Sequence, residues 1–162
     1  MAAIPEGFHT VTPQLHVSNG DKAIALYKKA LGAKEFRRML VPGTKKVMHA
    51  ALEIGTSKVF LSEFSPPGQT PQGANSSFYI YVANIEAAHK KAVAAGMKET
   101  MPPTDMFWGD RMSHLIDPFG HAWNLASHTR DVSPAEMEKG MKQQFGGGMG
   151  PSKPLASGRS KK

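Results

Sequence analysis

The chain has 162 residues, a formal net charge of +7 and no cysteine. That excludes disulfides, thiolate chemistry and cysteine-ligated zinc or iron–sulfur centres, and no run approaches the ~18 consecutive apolar residues of a membrane span. The length fits one domain or a fused pair of half-domains with a real core. Lys153, Arg159, Lys161 and Lys162 carry four of the seven charges, leaving +3 on residues 1–145. An excess that small, spread over a folded body, is no nucleic-acid footprint. Pro5, Glu6 and Gly7 stand where a secretory signal would have its apolar stretch, so a cytoplasmic location is expected.

In chain order, Thr10 to Val17 is rich in Val and Thr and reads as a strand, with Pro13 at an edge or bulge. Gly20-Asp21 opens a helix whose apolar residues Ala23, Ile24, Tyr27, Ala30 and Leu31 share one stripe, and Gly32 ends it. Glu35 to Leu40, Val47 to Ile54 and Lys58 to Phe64 read as strands, separated by Pro42-Gly43-Thr44 and Gly55-Thr56-Ser57. Ser65 to Asn75, rich in Pro and Gly, is a linker. Phe78 to Val82 is again strand, Ile85 to Ala95 helix, and strands follow near Lys98 to Met101, Arg111 to Ile116 and Ala122 to His128. Ser133-Pro134-Ala135-Glu136 matches a capping box and starts a terminal helix running to about Phe145. Residues 146–162, dominated by Gly, Pro, Ser and Lys, form a basic tail expected to be disordered.

The two halves repeat. Val17 and Asn19 match Val82 and Asn84 at an offset of 65, while Gly32, Lys34 and Glu35 match Gly96, Lys98 and Glu99 at 64, so the second helix is expected to be one residue shorter. The expected fold is α+β: βαβββ modules over residues 1–65 and 76–130, joined by a linker at 66–75, forming a curved mixed sheet or half-barrel, with a C-terminal helix over 131–145. Two half-units that each leave a concave face are expected to enclose one shared pocket.

Three segments carry a family resemblance: Ala23 to Ala33 of the first helix, Phe107-Trp108-Gly109-Asp110-Arg111, and Asp117-Pro118-Phe119-Gly120-His121-Ala122-Trp123-Asn124-Leu125. With the opening Ile4 to Pro13 and Met48-His49-Ala50, the chain resembles the vicinal oxygen chelate superfamily of glyoxalase I, bleomycin-resistance proteins and extradiol dioxygenases. Metal-dependent members take one ligand from each of four strands. The resemblance puts those positions at Thr12, His49, Ser77 and Asn124, of which only His49 is a good ligand for a divalent ion such as Zn, Ni, Mn or Fe. His16 and His128 share strand parity with Thr12 and Asn124 and are the other imidazoles that face inward by alternation.

No cofactor is therefore firmly implied. The expected ligand pocket comprises Gln14, His49, Tyr79, Trp108, Arg111 and Asn124, holding a small aromatic or oxygen-rich molecule. In it His49 would serve as a base, an orienting group or a sole metal ligand, Arg111 would grip a carboxylate or phosphate, and Trp108 would stack on a flat ring. The alternative is a divalent-metal-dependent lyase, isomerase or dioxygenase of the same superfamily. A homodimer is expected because the family commonly completes its pocket that way.

Overall fold

The computed structural model describes residues 5, 7–64 and 77–145. The expected linker and basic tail lie outside the described residues. The elements run β1 (Gln14–His16), α1 (Gly20–Leu31), β2 (Lys34–Leu40), β3 (Val47–Ile54), β4 (Ser57–Ser62), β5 (Ser77–Tyr81), α2 (Ile85–Ala95), β6 (Lys98–Asp105), β7 (Asp110–Ile116), β8 (Ala122–His128) and α3 (Pro134–Phe145). They form two four-stranded mixed sheets, ordered β1-β4-β3-β2 and β5-β8-β7-β6. In each, the first strand runs parallel to the last and the remaining pairs are antiparallel.

The repeat noticed in the residues is a repeat of helix ends. Asn19 caps α1, accepting from the Lys22 amide at 3.0 Å, and Asn84 caps α2, accepting from the Ala87 amide at 3.0 Å. Each cap satisfies one of the amides a helix start leaves without an internal partner. Gly32 and Gly96 close the helices in the left-handed conformation, which lets the chain turn into β2 or β6 without a side-chain penalty. Helix α1 has 12 residues and α2 has 11, which accounts for the change in offset.

The two helices pack on each other, and each also covers strands of its own module. Ala50, Leu52, Val59 and Leu61 of the first sheet and Leu115, Trp123 and Leu125 of the second turn into one continuous core with Ile24, Tyr27 and Ala92 of the helices. Alternation then directs His49, Ala51 and Phe60, and Tyr79, Asn124 and His128, to the opposite faces of their sheets. The modules are locked at one point by chemistry as well as packing. The Tyr27 ring of α1 lies 5.4 Å from Trp123, and both donate hydrogen bonds to the buried Asp117 carboxylate, the phenol at 2.7 Å and the indole at 3.0 Å.

Candidate functional site

The far face of the first sheet carries a cavity of about 460 Å³ lined by Pro5, Phe8, His9, Thr10, Thr12, Phe36, Arg37, His49, Ala51 and Phe60. That is within the usual ~300–1,000 Å³ of small-molecule sites. Its walls are aromatic. The His49 ring meets Phe60 edge-on at 4.7 Å, Phe60 lies 5.6 Å from Phe8, and Phe8 lies 6.2 Å from Phe36. Parity explains His49 and Phe60, because Ala51 pairs with Phe60 across the β3–β4 hairpin and stands two residues from His49. The register of β2 against β3 shifts between Glu35 and Arg37. Such an irregularity breaks alternation, so that the neighbours Phe36 and Arg37 both reach the same cavity.

The far face of the second sheet carries a polar cluster centred on Asp110, which is only 4 % exposed. Tyr79 and Tyr81 donate to its Oδ2 at 3.0 and 3.1 Å, and His128 Nδ1 meets its Oδ1 at 2.9 Å. His128 Nε2 in turn faces Asp131 at 3.2 Å. Burial alone would raise the Asp110 carboxyl, but the hydrogen bonds from His128, Tyr79 and Tyr81 outweigh it and hold the group below the ordinary carboxylate range. Burial, and then the bond to Asp110, push the Tyr79 hydroxyl up to about 12. The hydrogen bond to Asp110, followed by that to Asp131, raises His128. Trp108 reaches the Tyr79 phenol, and Asn124 stands opposite Tyr79 in the β5–β8 register.

A second cavity, of about 490 Å³, lies between the modules, where Pro13, Ile54, Gly55, Thr56, Ser57 and Val59 meet Phe78, Tyr79, Ile80, Tyr81 and Trp123. Of the expected pocket residues it contains Tyr79 and not His49.

The residues expected in one pocket are thus divided. Thr12 and His49 share the first-sheet cavity, and Gln14, opposite Phe60 in register, lies on the same face. Tyr79, Trp108 and Asn124 gather on the second sheet, with Ser77 exposed at the start of β5. Arg111 joins neither group. Its parity is that of the buried Ser113 and Leu115, and its guanidinium pairs with Glu86 of α2 at 2.7 Å and with Asp105 at 3.0 Å. Arg111 was expected among the pocket residues; here two nearby carboxylates hold it on the helix side. Phe8, Phe36, Arg37 and Phe60, absent from the expected set, complete the first cavity. Phe60 was legible from the hairpin register, whereas Phe36 and Arg37 depend on an irregularity that no local signal announces.

The four family metal positions do not meet as a ligand set within this chain. His49 and Thr12 line the first-sheet cavity, Ser77 and Asn124 belong to the second sheet, and among the described residues no three His, Asp or Glu side chains are grouped to hold an ion. The two other imidazoles expected to face inward are occupied elsewhere. His16 Nδ1 bonds the Phe64 carbonyl at 2.7 Å, and His128 is held by Asp110 and Asp131. The described donors thus do not fit a divalent ion.

Comparison with known proteins places these observations in a family. The model of the Glyoxalase/Bleomycin resistance protein/Dioxygenase superfamily matches residues 8–125. An uncharacterised protein of Mycobacterium bovis, Mb0911c, is 34 % identical over 146 residues, covering 85 % of this chain and 95 % of its own length. The solved structure of the Arabidopsis thaliana At5g48480 product superposes with a TM-score of 0.59 at 26 % identity, covering 74 % of this chain and 98 % of that one. The fosfomycin resistance protein FosX of Listeria monocytogenes, solved with Mn(II) and sulfate, superposes with a TM-score of 0.56 at 13 % identity, covering 86 % and 98 %.

Proposed function

The chain belongs to the Glyoxalase/Bleomycin resistance protein/Dioxygenase superfamily, and from that premise we propose that it binds a small aromatic or oxygen-rich molecule in the cavity beside His49. The observation that supports this most directly is the chemistry of that wall: Phe8, Phe36 and Phe60 surround a volume fit for one small molecule, with Thr12, His9 and His49 as polar contacts. Flat rings are held by edge-to-face and stacked contacts with such walls. A few polar groups then fix the orientation of the guest.

A chemical-shift titration with 2-naphthol tests the proposal. Perturbations should centre on His49, Ala51 and Phe60, and His49→Ala should weaken the binding. Saturable binding that maps elsewhere, or none, overturns the reading.

The far faces of both sheets expose large apolar side chains, with Phe36 50 %, Tyr79 43 % and Tyr81 64 % accessible. These support a homodimer in which a second copy covers them, since contiguous exposed apolar surface marks interaction sites. Sedimentation equilibrium tests this, and a monomer at micromolar concentration would exclude a stable dimer. A metal-dependent lyase, isomerase or dioxygenase is the second reading, and the scattered donor set weighs against it. It would require near one ion per chain in the purified protein, lost in His49→Ala.

A further inference from the structure

The first-sheet cavity has a charge character that its aromatic walls do not explain. Arg37 lines it and is exposed, and its guanidinium makes no ion pair or hydrogen bond among the described residues. This sets it apart from the neighbouring Arg38, which is engaged by Glu35 and Asp21. It also sets it apart from Arg111, tied to Glu86 and Asp105. His9 and His49 add two imidazoles, and no carboxylate is among the described lining residues. The acid on the same face of β3, Glu53, is bound to Lys58, and the Lys58 ammonium itself stands 4.7 Å over the Phe36 ring. The cavity therefore has three phenyl walls, an uncommitted planar cation at one side, and the acid on its face of β3 already paired.

From this we infer that the ligand class is a planar aromatic or conjugated anion, such as an arene carboxylate, with its ring among Phe8, Phe36 and Phe60 and its charged end on Arg37. A guanidinium presents paired donors that match the two oxygens of a carboxylate. Here that fork is placed beside apolar walls that lower the competition from water. An aromatic cation would meet Arg37 as a like charge and be rejected. The inference rests on the proposed binding site and narrows it to one charge class.

The test compares three probes of one ring system, 2-naphthoate, 2-naphthol and 2-naphthylmethylammonium, by calorimetry at fixed ionic strength. Naphthoate should bind at least about ten-fold tighter than naphthol, with the ammonium weakest. Arg37→Gln should bring naphthoate down to the level of naphthol, whereas Arg111→Gln should leave the ratio as it is. Circular dichroism of each variant verifies that it is folded. Equal binding of naphthoate and naphthol, or tighter binding of the ammonium, overturns the anion inference and leaves the aromatic site standing. An unchanged naphthoate preference in Arg37→Gln overturns the assignment to Arg37. If no probe binds beside His49, the proposed function falls and this inference falls with it.

Discussion

The phenol of Tyr27 in the first module donates to Oδ2 of Asp117 in the second at 2.7 Å, in the interior of the molecule. Oδ1 of the same carboxylate accepts from the Phe119 amide at 2.8 Å and the His121 amide at 2.9 Å. One buried side chain therefore shapes the β7–β8 turn and ties that turn to the helix of the other half.

Removing one bond of this set should be felt throughout the fold. Tyr27→Phe should lower unfolding stability by about 1.5–3 kcal/mol, the range for a hydrogen bond to a charged group. Asp117→Ala leaves a phenol, an indole and two amides without their acceptor, and should cost at least about 3 kcal/mol. Urea denaturation followed by tryptophan fluorescence measures both, and equal effects would contradict a central role for Asp117.

Stability should fall toward acid through both buried carboxylates and toward base through one histidine. Burial alone would raise Asp117, but hydrogen bonds from His121, Trp123 and Tyr27 outweigh it and hold it low. Its contribution is therefore present above the ordinary value of 3.8 and lost as pH drops through the lowered folded value. Asp110 behaves likewise. His128 is raised, so its contribution is complete below its ordinary 6.5 and disappears as pH climbs through the raised folded value. The stability difference between the native protein and His128→Gln should accordingly be larger at pH 6 than at pH 9. A difference independent of pH would mean that the His128–Asp110 pair does not depend on the imidazole charge.

Gly109 should be intolerant of any side chain. Its φ is +95°, and an added Cβ would stand 2.1 Å from the Arg130 carbonyl oxygen, while its own carbonyl accepts from the Thr129 and Arg130 amides at 2.9 and 3.1 Å. Gly109→Ala should cost at least about 2 kcal/mol, more than the ~1–2 kcal/mol of a left-handed alanine alone. Gly43→Ala, at φ +74° with open space around the position, should cost only that smaller amount. Thermal melts of the pair provide the comparison.

Arg111→Ala should leave aromatic-ligand affinity unchanged, because its partners are Glu86 and Asp105 on the helix side. Its ion pairs are solvent-screened, so the denaturation midpoint should barely move. A large loss of binding would return Arg111 to the ligand site.

Local signals in the residues were enough for the elements. The alternation of Val47 to Ile54, the stripe of Ile85 to Ala95 and the segment Ala122 to His128 reappear with the same bounds in β3, α2 and β8. The capping-box reading of Ser133 is realised too: Glu136 accepts from the Ser133 amide at 2.9 Å, and the Ser133 hydroxyl accepts from the Glu136 amide at 3.3 Å. The expected first strand, Thr10 to Val17, shortens to Gln14–His16, since Pro13 has no amide to donate. The expected β6 lengthens to Lys98–Asp105 past Pro102 and Pro103, where shifts in register absorb the missing donors.

The site was legible only in part, and the division is physical. Composition, period-2 and period-3.6 patterning and turn residues act between neighbours in the chain, so the duplicated βαβββ architecture, its helix ends and the position of His49 opposite the buried face of β3 followed from local signals. Which distant groups meet was decided by the tertiary structure. A register shift turned both Phe36 and Arg37 into one cavity, and packing of α1 on α2 joined the inner faces of the two sheets in one core, so that His49 and Tyr79 line separate cavities. Glu86, 25 residues away in the chain, claimed Arg111, while Arg37 was left without a partner among the described residues. Such choices depend on contacts between segments far apart in the chain, and no local pattern encodes them.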